Sequence, residues 1–181
     1  MYRDKTIAVI IPAYNEEKAL ELNPRYAISM YNLGLVFYRK GLMNEAIDHY
    51  KKAIELDSEF PDSFYNLGIA YYQKGLYIEA VRVYKKLLEV NPKYENGYNS
   101  LGLAYKRLRQ WNEAIQSFQE ELRHHPKNFY AHLYLGDVYM EKKEYSKALT
   151  HFKKALEYPN LPDAERVRKL ISSIEMPPKN N

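Results

Sequence analysis

The chain contains no cysteine among its 181 residues. Disulfide frameworks, thiolate zinc sites and cysteine nucleophiles are therefore excluded. Long hydrophobic runs are missing too, because the longest, Ile7 to Ile11, is far shorter than the roughly 20 residues that span a bilayer. Asn15-Glu16-Glu17 follows that run, which is unlike a secretory signal peptide. We therefore expect a cytoplasmic protein with no membrane partner.

Glycine is scarce, with 7 residues, yet four of the seven recur at a fixed spacing of 34. Each closes a similar phrase, which reads Tyr-Asn-Leu-Gly in the first two occurrences. An alanine follows each glycine after twelve residues, and an aromatic residue follows that alanine after four. A period of this length indicates stacked helical hairpins. The residues are Gly34, Gly68, Gly102 and Gly136, then Ala46, Ala80, Ala114 and Ala148, then Tyr50, Tyr84, Phe118 and Phe152.

The same period predicts how each hairpin packs. Apolar residues at repeat positions 4, 7, 8 and 11 share one face of a first helix, and positions 20, 24 and 27 form the facing stripe of a second helix. Small residues at positions 8 and 20 let the backbones approach, and the ring at position 24 fills the gap. Lys40-Gly41 and Lys74-Gly75 mark turns within hairpins, while Pro92 and Pro126 end second helices. A single hairpin cannot bury both of its faces, so the repeats must stack.

We therefore expect four repeats, at residues 27–60, 61–94, 95–128 and 129–162. The array resembles tetratricopeptide repeats, and this resemblance implies an all-α, right-handed α-solenoid. Residues 19–26 match the end of a preceding second helix, with Pro24 as its stop, and are predicted to be the remnant of an earlier repeat. Residues 163–181 are predicted to form a capping helix and tail, with Asp163 as N-cap and an apolar stripe of Val167, Leu170, Ile171 and Ile174.

Two residues depart from the repeat pattern. Glu121 stands where a small residue is expected, and His132 replaces an apolar or aromatic residue at position 4. We expect both to loosen the packing locally without changing the register of the repeats.

Residues 1–18 do not fit the period. Thr6 to Glu17 predicts a buried strand followed by a loop and resembles the opening of a family 2 glycosyltransferase. The resemblance implies that Pro12 to Glu17 would contact the base of a sugar nucleotide. No Asp-x-Asp pair and no further strands accompany it, so no catalytic domain is expected. An unpaired strand at Ile7 to Ile11 would cap the array or promote self-association through its edge.

Charge of one sign is not in large excess, since 27 basic side chains face 23 acidic ones and the net charge is +4. Lysine pairs recur at Lys51-Lys52, Lys85-Lys86 and Lys153-Lys154, but Gln119-Glu120 stands at the equivalent position of the third repeat. A groove that follows phosphates would not reverse its charge there. We expect a solvated outer face and no nucleic-acid partner.

In a tetratricopeptide array the first helices line a concave groove, and positions 2, 5, 6, 9, 12 and 13 point into it. Aromatic, amide and guanidinium groups at these positions are the mixture enriched at protein-binding hot spots. We therefore predict a groove for a protein or peptide, formed by Tyr31, Asn32, Tyr38, Arg39, Tyr65, Asn66, Tyr72, Asn99, Lys106 and Arg107. Lys106 and Arg107 are predicted to bind an acidic residue of the ligand, whereas Asp137 and Glu141 would repel one further along.

Two known binding patterns of the family can be compared with this groove. Asn32 and Asn66 resemble the asparagine ladder of the transferase that adds sugar to serine and threonine, but Ser100 and Tyr134 replace it in the later repeats. The carboxylate clamp for heat-shock chaperone tails needs lysine and asparagine where Tyr31 and Leu35 stand, so the clamp is rejected.

No serine, histidine and carboxylate gather at a catalytic spacing, and the histidines His49 and His151 are too far apart to share an ion. We predict a non-enzymatic scaffold without metal or cofactor. Two alternatives stay open, an acceptor-recruiting remnant of a glycosyltransferase and a self-assembling structural module.

Overall fold

A computed structural model describes residues 24–159, 161–162 and 164–175. Within these residues the chain forms nine α-helices and no strand. The leader at 1–18 and residues 19–23 lie outside the described residues, as does Asp163. The helices are α1 (Pro24–Arg39), α2 (Met43–Leu56), α3 (Pro61–Gln73), α4 (Tyr77–Val90), α5 (Gly97–Arg107), α6 (Trp111–His124), α7 (Phe129–Glu141), α8 (Tyr145–Leu156) and α9 (Ala164–Glu175).

The chain divides into two compact units, Met1–Ser63 and Phe64–Asn181. In the first unit, α1 packs against α2 as a hairpin. In the second unit each helix from α4 to α9 packs on the next, and α5 also contacts α7, so that first helices of successive repeats meet. The expected all-α architecture of stacked helical hairpins with a helix at the end is confirmed.

A close approach of the two helices in every hairpin accounts for the periodic glycines. A Cβ atom built on Gly102 would lie 2.5 Å from Cε1 of Phe118, and one built on Gly34 would lie 2.5 Å from the Tyr50 ring. Gly68 faces Tyr84 and Gly136 faces Phe152 in the same way. The four alanines at position 20 are fully buried. The predicted packing of small residues against one ring is thus confirmed in all four repeats.

The turns within the hairpins share a left-handed residue at repeat position 15. Gly41 and Gly75 have φ angles of 75° and 76°, as expected for the predicted glycine turns. Arg109 and Lys143 occupy the equivalent place with φ angles of 58° and 59°. The turn geometry therefore persists where glycine is absent, at the cost of strain for residues that carry a Cβ.

The first helix, α1, differs from the other first helices in where it begins and in which residues it exposes. Pro24 belongs to α1, whereas the sequence interpretation placed it at the end of the preceding helix. Proline is compatible with a first helical turn because its missing N–H has no partner there in any case. Leu33 and Val36 are 41% and 45% exposed, although positions 7 and 10 are buried in all later repeats. The α1 helix thus exposes a face that later first helices bury.

The predicted C-terminal helix is confirmed as α9, which packs on α8. Val167 and Ile171 are buried, and Leu170 and Ile174 are half-buried. The opposite face carries exposed Arg166, Arg168 and Lys169, as the amphipathic pattern predicts.

Glu121 does not loosen the third repeat, contrary to the expectation from sequence. Its side chain is fully buried and accepts hydrogen bonds from the N–H of Asn96 at 3.1 Å, the N–H of Asn99 at 3.2 Å and Nδ2 of Asn128 at 3.0 Å. The carboxylate therefore satisfies backbone donors at the N-terminus of α5, where the N-cap Asn96 makes no side-chain cap. This helix begins at repeat position 3, whereas α3 and α7 begin at position 1. In α5 the hydrogen bonds to the Glu121 carboxylate, which we call the polar centre, stand in place of the first helical turn that α3 and α7 have.

Candidate functional site

Tyrosines of α3 and α7 converge on one surface of the second unit, which we call the first-helix face. It comprises Tyr65, Tyr72, Tyr130 and Tyr134, together with Lys106 and Asp137. Burial raises the pKa of Tyr134, and the nearby Tyr130, Asp137, Tyr72 and Tyr65 raise it further. The rings of Tyr130 and Tyr134 stack with centroids 6.1 Å apart. Tyr65 and Tyr72 of one repeat therefore lie near Tyr134 of another.

Some of these tyrosines also serve the fold. Tyr65 lies 6.3 Å from Tyr84 and 5.0 Å from Tyr94, measured between ring centroids. Tyr72 makes an edge-on contact with Tyr77 at 5.3 Å, and burial raises the pKa of Tyr72. These contacts hold the rings in place, while Tyr65 and Tyr72 are half-buried and each retains an accessible part. The face is therefore a preorganised surface rather than a set of mobile side chains.

Both predicted cations of the third repeat already have partners within the protein. Lys106 Nζ lies 3.4 Å from Asp137 Oδ2, and the two side chains are 25% and 27% exposed. Arg107 donates from Nε and Nη2 to the hydroxyl oxygen of Tyr77 at 3.0 and 2.6 Å, with its guanidinium 5.0 Å from the ring centroid. The expected separation of attracting Lys106 and repelling Asp137 is therefore wrong, because the two charges form a pair.

Asn99 does not belong to the accessible surface and is a correction to the predicted groove. It is 3% exposed, its Nδ2 donates to Asn96 Oδ1 at 3.1 Å, and its Oδ1 is buried without a hydrogen-bond partner. The Asn99 N–H donates a hydrogen bond to the buried Glu121 carboxylate, which ties this end of α5 to the interior. The departure at Glu121 was visible in the sequence, but its effect on a residue 22 positions away was not.

The remaining predicted residues of the first unit lie on α1. Asn32 and Arg39 are exposed, and Tyr31 and Tyr38 are half-buried. Tyr31 packs 5.0 Å from Phe60 and 6.0 Å from Tyr50. Burial raises the pKa of Tyr50, and Tyr31 and Tyr38 raise it further, so these rings surround the core ring of their hairpin. In the second unit, Asn66 is half-buried.

Two cavities adjoin Tyr130, and sequence reasoning identified neither. One of about 210 Å³ lies between α7 and α9. The other, of about 550 Å³, lies beside the loop between α6 and α7 and includes His124, His125 and Lys127. The sequence predicts only a capping helix for the residues of α9, and their contribution to a cavity is not evident from the sequence.

His132 and His151 form a pair within the fourth repeat. Their Nδ1 atoms are 3.1 Å apart, and Tyr139 stacks on His151 with centroids 5.5 Å apart. Burial lowers the pKa of His151 to about 4, with further lowering by His132 and Lys154. The pKa of His132 is lowered by burial and by Lys154, against a raising effect of Glu157. At neutral pH both rings are therefore uncharged, and one Nδ1–H donates to the other Nδ1.

His132 packs against His151 and does not loosen the repeat, contrary to the expectation from sequence. The pair also predicts that the stability of the protein depends on pH. Both pKa values lie below the unfolded value of 6.5, so the unfolded chain binds more protons as the pH falls towards 4. The free energy of unfolding should therefore have its full value above pH 6.5 and should decrease between pH 6.5 and about pH 4. Urea unfolding at several pH values should show a steeper decline for the wild type than for the double variant His132→Leu/His151→Phe. His125→Gln serves as the control, and equal slopes in wild type and double variant would contradict the assignment.

Among the described residues no cluster of three or more histidines and carboxylates could hold a metal ion. None of the described helices is long and apolar enough to cross a membrane.

Models of the TPR repeat match residues 43–75 and 70–108, and a tetratricopeptide repeat model matches residues 99–165. The chain is a tetratricopeptide repeat protein. The matches do not reach residues 1–18, so the glycosyltransferase resemblance of this tetratricopeptide protein gains no support. No curated relative matches the sequence.

Solved structures show the same fold. A crystal structure of MamA is similar with a TM-score of 0.71 and 27% identity over 85% of this chain and 86% of that chain. The Arabidopsis OM64 TPR domain has a TM-score of 0.62 and 21% identity over 65% and 98% of the two chains. The first TPR of Spaghetti (RPAP3), bound to the HSP90 peptide SRMEEVD, has a TM-score of 0.59 and 24% identity over 72% and 98%. These likenesses show the fold of the chain.

Proposed function

We propose that this tetratricopeptide protein binds an extended peptide or protein segment on the first-helix face. The observation that carries the proposal is the convergence of Tyr65, Tyr72, Tyr130 and Tyr134, held in place by ring contacts. Rigid tyrosines supply contact area with little loss of conformational entropy, and they are enriched at binding hot spots. Tyr130 is 40% exposed and offers a ring that the core does not require.

The chemistry of the face favours a ligand with apolar or aromatic anchors. The Lys106–Asp137 pair leaves no large net charge between the tyrosines. Each member of the pair can still exchange its partner for a ligand group of the opposite sign, since both are partly exposed. In the second unit the accessible predicted residues Tyr65, Asn66, Tyr72, Lys106 and Arg107 stay in the proposed site, and Asn99 is removed. In the first unit, Tyr31, Asn32, Tyr38 and Arg39 remain predicted binding residues of that unit alone.

The peptide-bound RPAP3 array supports the proposal at the level of the fold. At 24% identity the likeness concerns the fold, and that protein shows that a fold of this kind can hold a peptide. Its peptide, SRMEEVD, is strongly acidic. In this chain Tyr31, Leu35, Asn96 and Ser100 stand where the clamp for such peptides requires charged and amide groups. We therefore expect a different ligand from the chaperone tails.

A selected peptide tests the proposal. Random dodecapeptides displayed on phage are selected on the full chain, and one enriched peptide is synthesised with a fluorophore. Tyr72→Ala should weaken its binding about 10-fold, since truncation of a hot-spot ring costs roughly 1 to 3 kcal/mol. The reason is the loss of ring contact, not of fold, and circular dichroism should be unchanged.

Tyr145→Ala is the matched control, because Tyr145 is 47% exposed at the start of α8 and lies outside the first-helix face. Its affinity for the peptide should equal that of the wild type. If Tyr72→Ala and Tyr145→Ala bind equally well, the binding site lies elsewhere.

A further inference from the structure

We propose that the cavity between α7 and α9 is an anchor subsite for one large apolar side chain that is followed by an acidic residue in the ligand. The inference rests on the proposed function, because it assigns a class of ligand side chains to one end of the first-helix face. Leu133, Tyr134, Val167 and Leu170 line the cavity, and Tyr130 and Arg166 also contribute to it.

The size of the cavity suits a single side chain. Its volume is about 210 Å³, and an engineered apolar cavity of about 150 Å³ is known to hold benzene. Leucine, methionine or phenylalanine would fill such a space, whereas alanine would leave much of it empty. The cavity therefore selects for residue size as well as for apolar character.

The walls are apolar and partly uncovered. Val167 is 3% exposed and forms part of the buried lining, while Leu133 and Leu170 are half-buried. The Tyr130 ring is 40% exposed. The Tyr134 phenol, whose pKa is raised by burial and then by nearby tyrosines and Asp137, stays neutral at physiological pH. Burying these surfaces under a ligand side chain would remove apolar area from water, which favours binding.

Arg166 gives the subsite its charge. Asp137 also lines the cavity, but its carboxylate lies 3.4 Å from Lys106 Nζ and is thereby balanced. Arg166 is exposed and has no hydrogen bond or ion pair with the described residues. Its guanidinium can donate two parallel hydrogen bonds to a carboxylate, a charge-assisted contact that is stronger than a neutral one. A ligand carboxylate next to the apolar anchor would be favoured, and a lysine there would be repelled.

A partner peptide fits this chemistry better than the chain's own tail. Residues 176–181 read Met-Pro-Pro-Lys-Asn-Asn and contain no acidic side chain. The tail could offer Met176 as an apolar group, but its lysine has the same sign as Arg166. Charge complementarity therefore points to an apolar–acidic pair in a partner peptide rather than to residues 176–181.

Blocked dipeptides measure the subsite directly. The full chain with ¹³C-labelled leucine methyl groups is titrated with N-acetyl-Leu-Asp-N-methylamide, and the Leu133 and Leu170 methyl resonances are followed by NMR. Both should shift on titration. The corresponding Leu-Asn and Ala-Asp compounds should each bind at least 5-fold more weakly, because the first lacks the carboxylate and the second lacks the anchor.

Variants separate the two parts of the preference. Arg166→Gln should bind the Leu-Asp and Leu-Asn compounds equally, while Arg168→Gln on the same helix should keep the wild-type preference. Arg168 is the matched control because it is exposed, does not line the cavity and lies near Glu165 at 3.8 Å. Leu170→Trp should fill the cavity and abolish the shift of Leu133. Equal binding of all three dipeptides, or an unchanged preference in Arg166→Gln, would overturn the proposal.

The selected dodecapeptide distinguishes a failure of the subsite from a failure of the binding face. Loss of affinity in Leu170→Trp, with Arg168→Gln unchanged, would support the subsite. If Tyr72→Ala weakens binding and Leu170→Trp does not, the first-helix face stands and the subsite is overturned. If neither variant weakens binding, both proposals fail.

Discussion

Replacing Glu121 with leucine should lower the free energy of unfolding by about 3 to 5 kcal/mol, because it leaves one buried and two partly buried donors without their shared acceptor. The N–H groups of Asn96 and Asn99 and Nδ2 of Asn128 all donate to this carboxylate. Each buried donor without a partner costs roughly 1 to 3 kcal/mol. Leucine is the residue at the same position of the second repeat, where Leu87 is fully buried, so hydrophobic size alone is suitable there.

Urea unfolding followed by circular dichroism measures the effect. Glu121→Gln keeps one acceptor oxygen and should lose less stability than Glu121→Leu. Glu120→Leu is the neighbouring control, since Glu120 is 33% exposed and pairs with the exposed Arg123, and exposed pairs contribute about 1 kcal/mol or less. A Glu121→Leu protein as stable as the wild type would show that the donors find other partners and that the polar centre is dispensable.

The hairpin packing was predictable because it depends on local pattern. Gly68 and Tyr84 are 16 residues apart on facing helices, and their complementary sizes recur with the period. The same pair of a small residue and a facing ring recurs in every repeat, so a single sequence contains four examples of this packing. Glu121 was recognisable as an exception for the same reason. Its consequence was not predictable, because it depends on three groups from two loops and a helix N-terminus that meet only in the folded chain.

The candidate site was predictable at the level of helix faces, and less so at the level of contacts. The period placed Tyr65 and Tyr72 on a first helix, and α5 contacts α7 as neighbouring first helices should. It did not show that Lys106 would meet Asp137, since a charge pair 31 residues apart depends on how one repeat is offset against the next. His132 and His151 were likewise considered separately, although they face each other across one hairpin. Individual side-chain contacts of this kind need three-dimensional geometry that residue spacing does not give.

Replacing Gly102 with alanine should destabilise the protein by about 1 to 3 kcal/mol, through overpacking of the third hairpin. The added Cβ would lie 2.5 Å from Cε1 of Phe118 and 2.8 Å from its Cδ1 and Cζ. Phe118 is fully buried, so the ring cannot move away into solvent. Alanine is the better helix former by roughly 0.5 to 1 kcal/mol, and this gain offsets only part of the clash.

A double-mutant cycle with Phe118→Leu identifies the cause of that loss. Phe118→Leu alone should destabilise the hairpin by opening a cavity, but it also makes room for a methyl group at position 102. Gly102→Ala should therefore cost less stability in the Phe118→Leu background than in the wild type, and the helix-propensity gain would then become visible. Thermal or urea unfolding of the four proteins gives the coupling energy between the two sites. An equal cost of Gly102→Ala in both backgrounds would mean that contact with this ring does not explain the glycine, and that the 34-residue period has another physical cause.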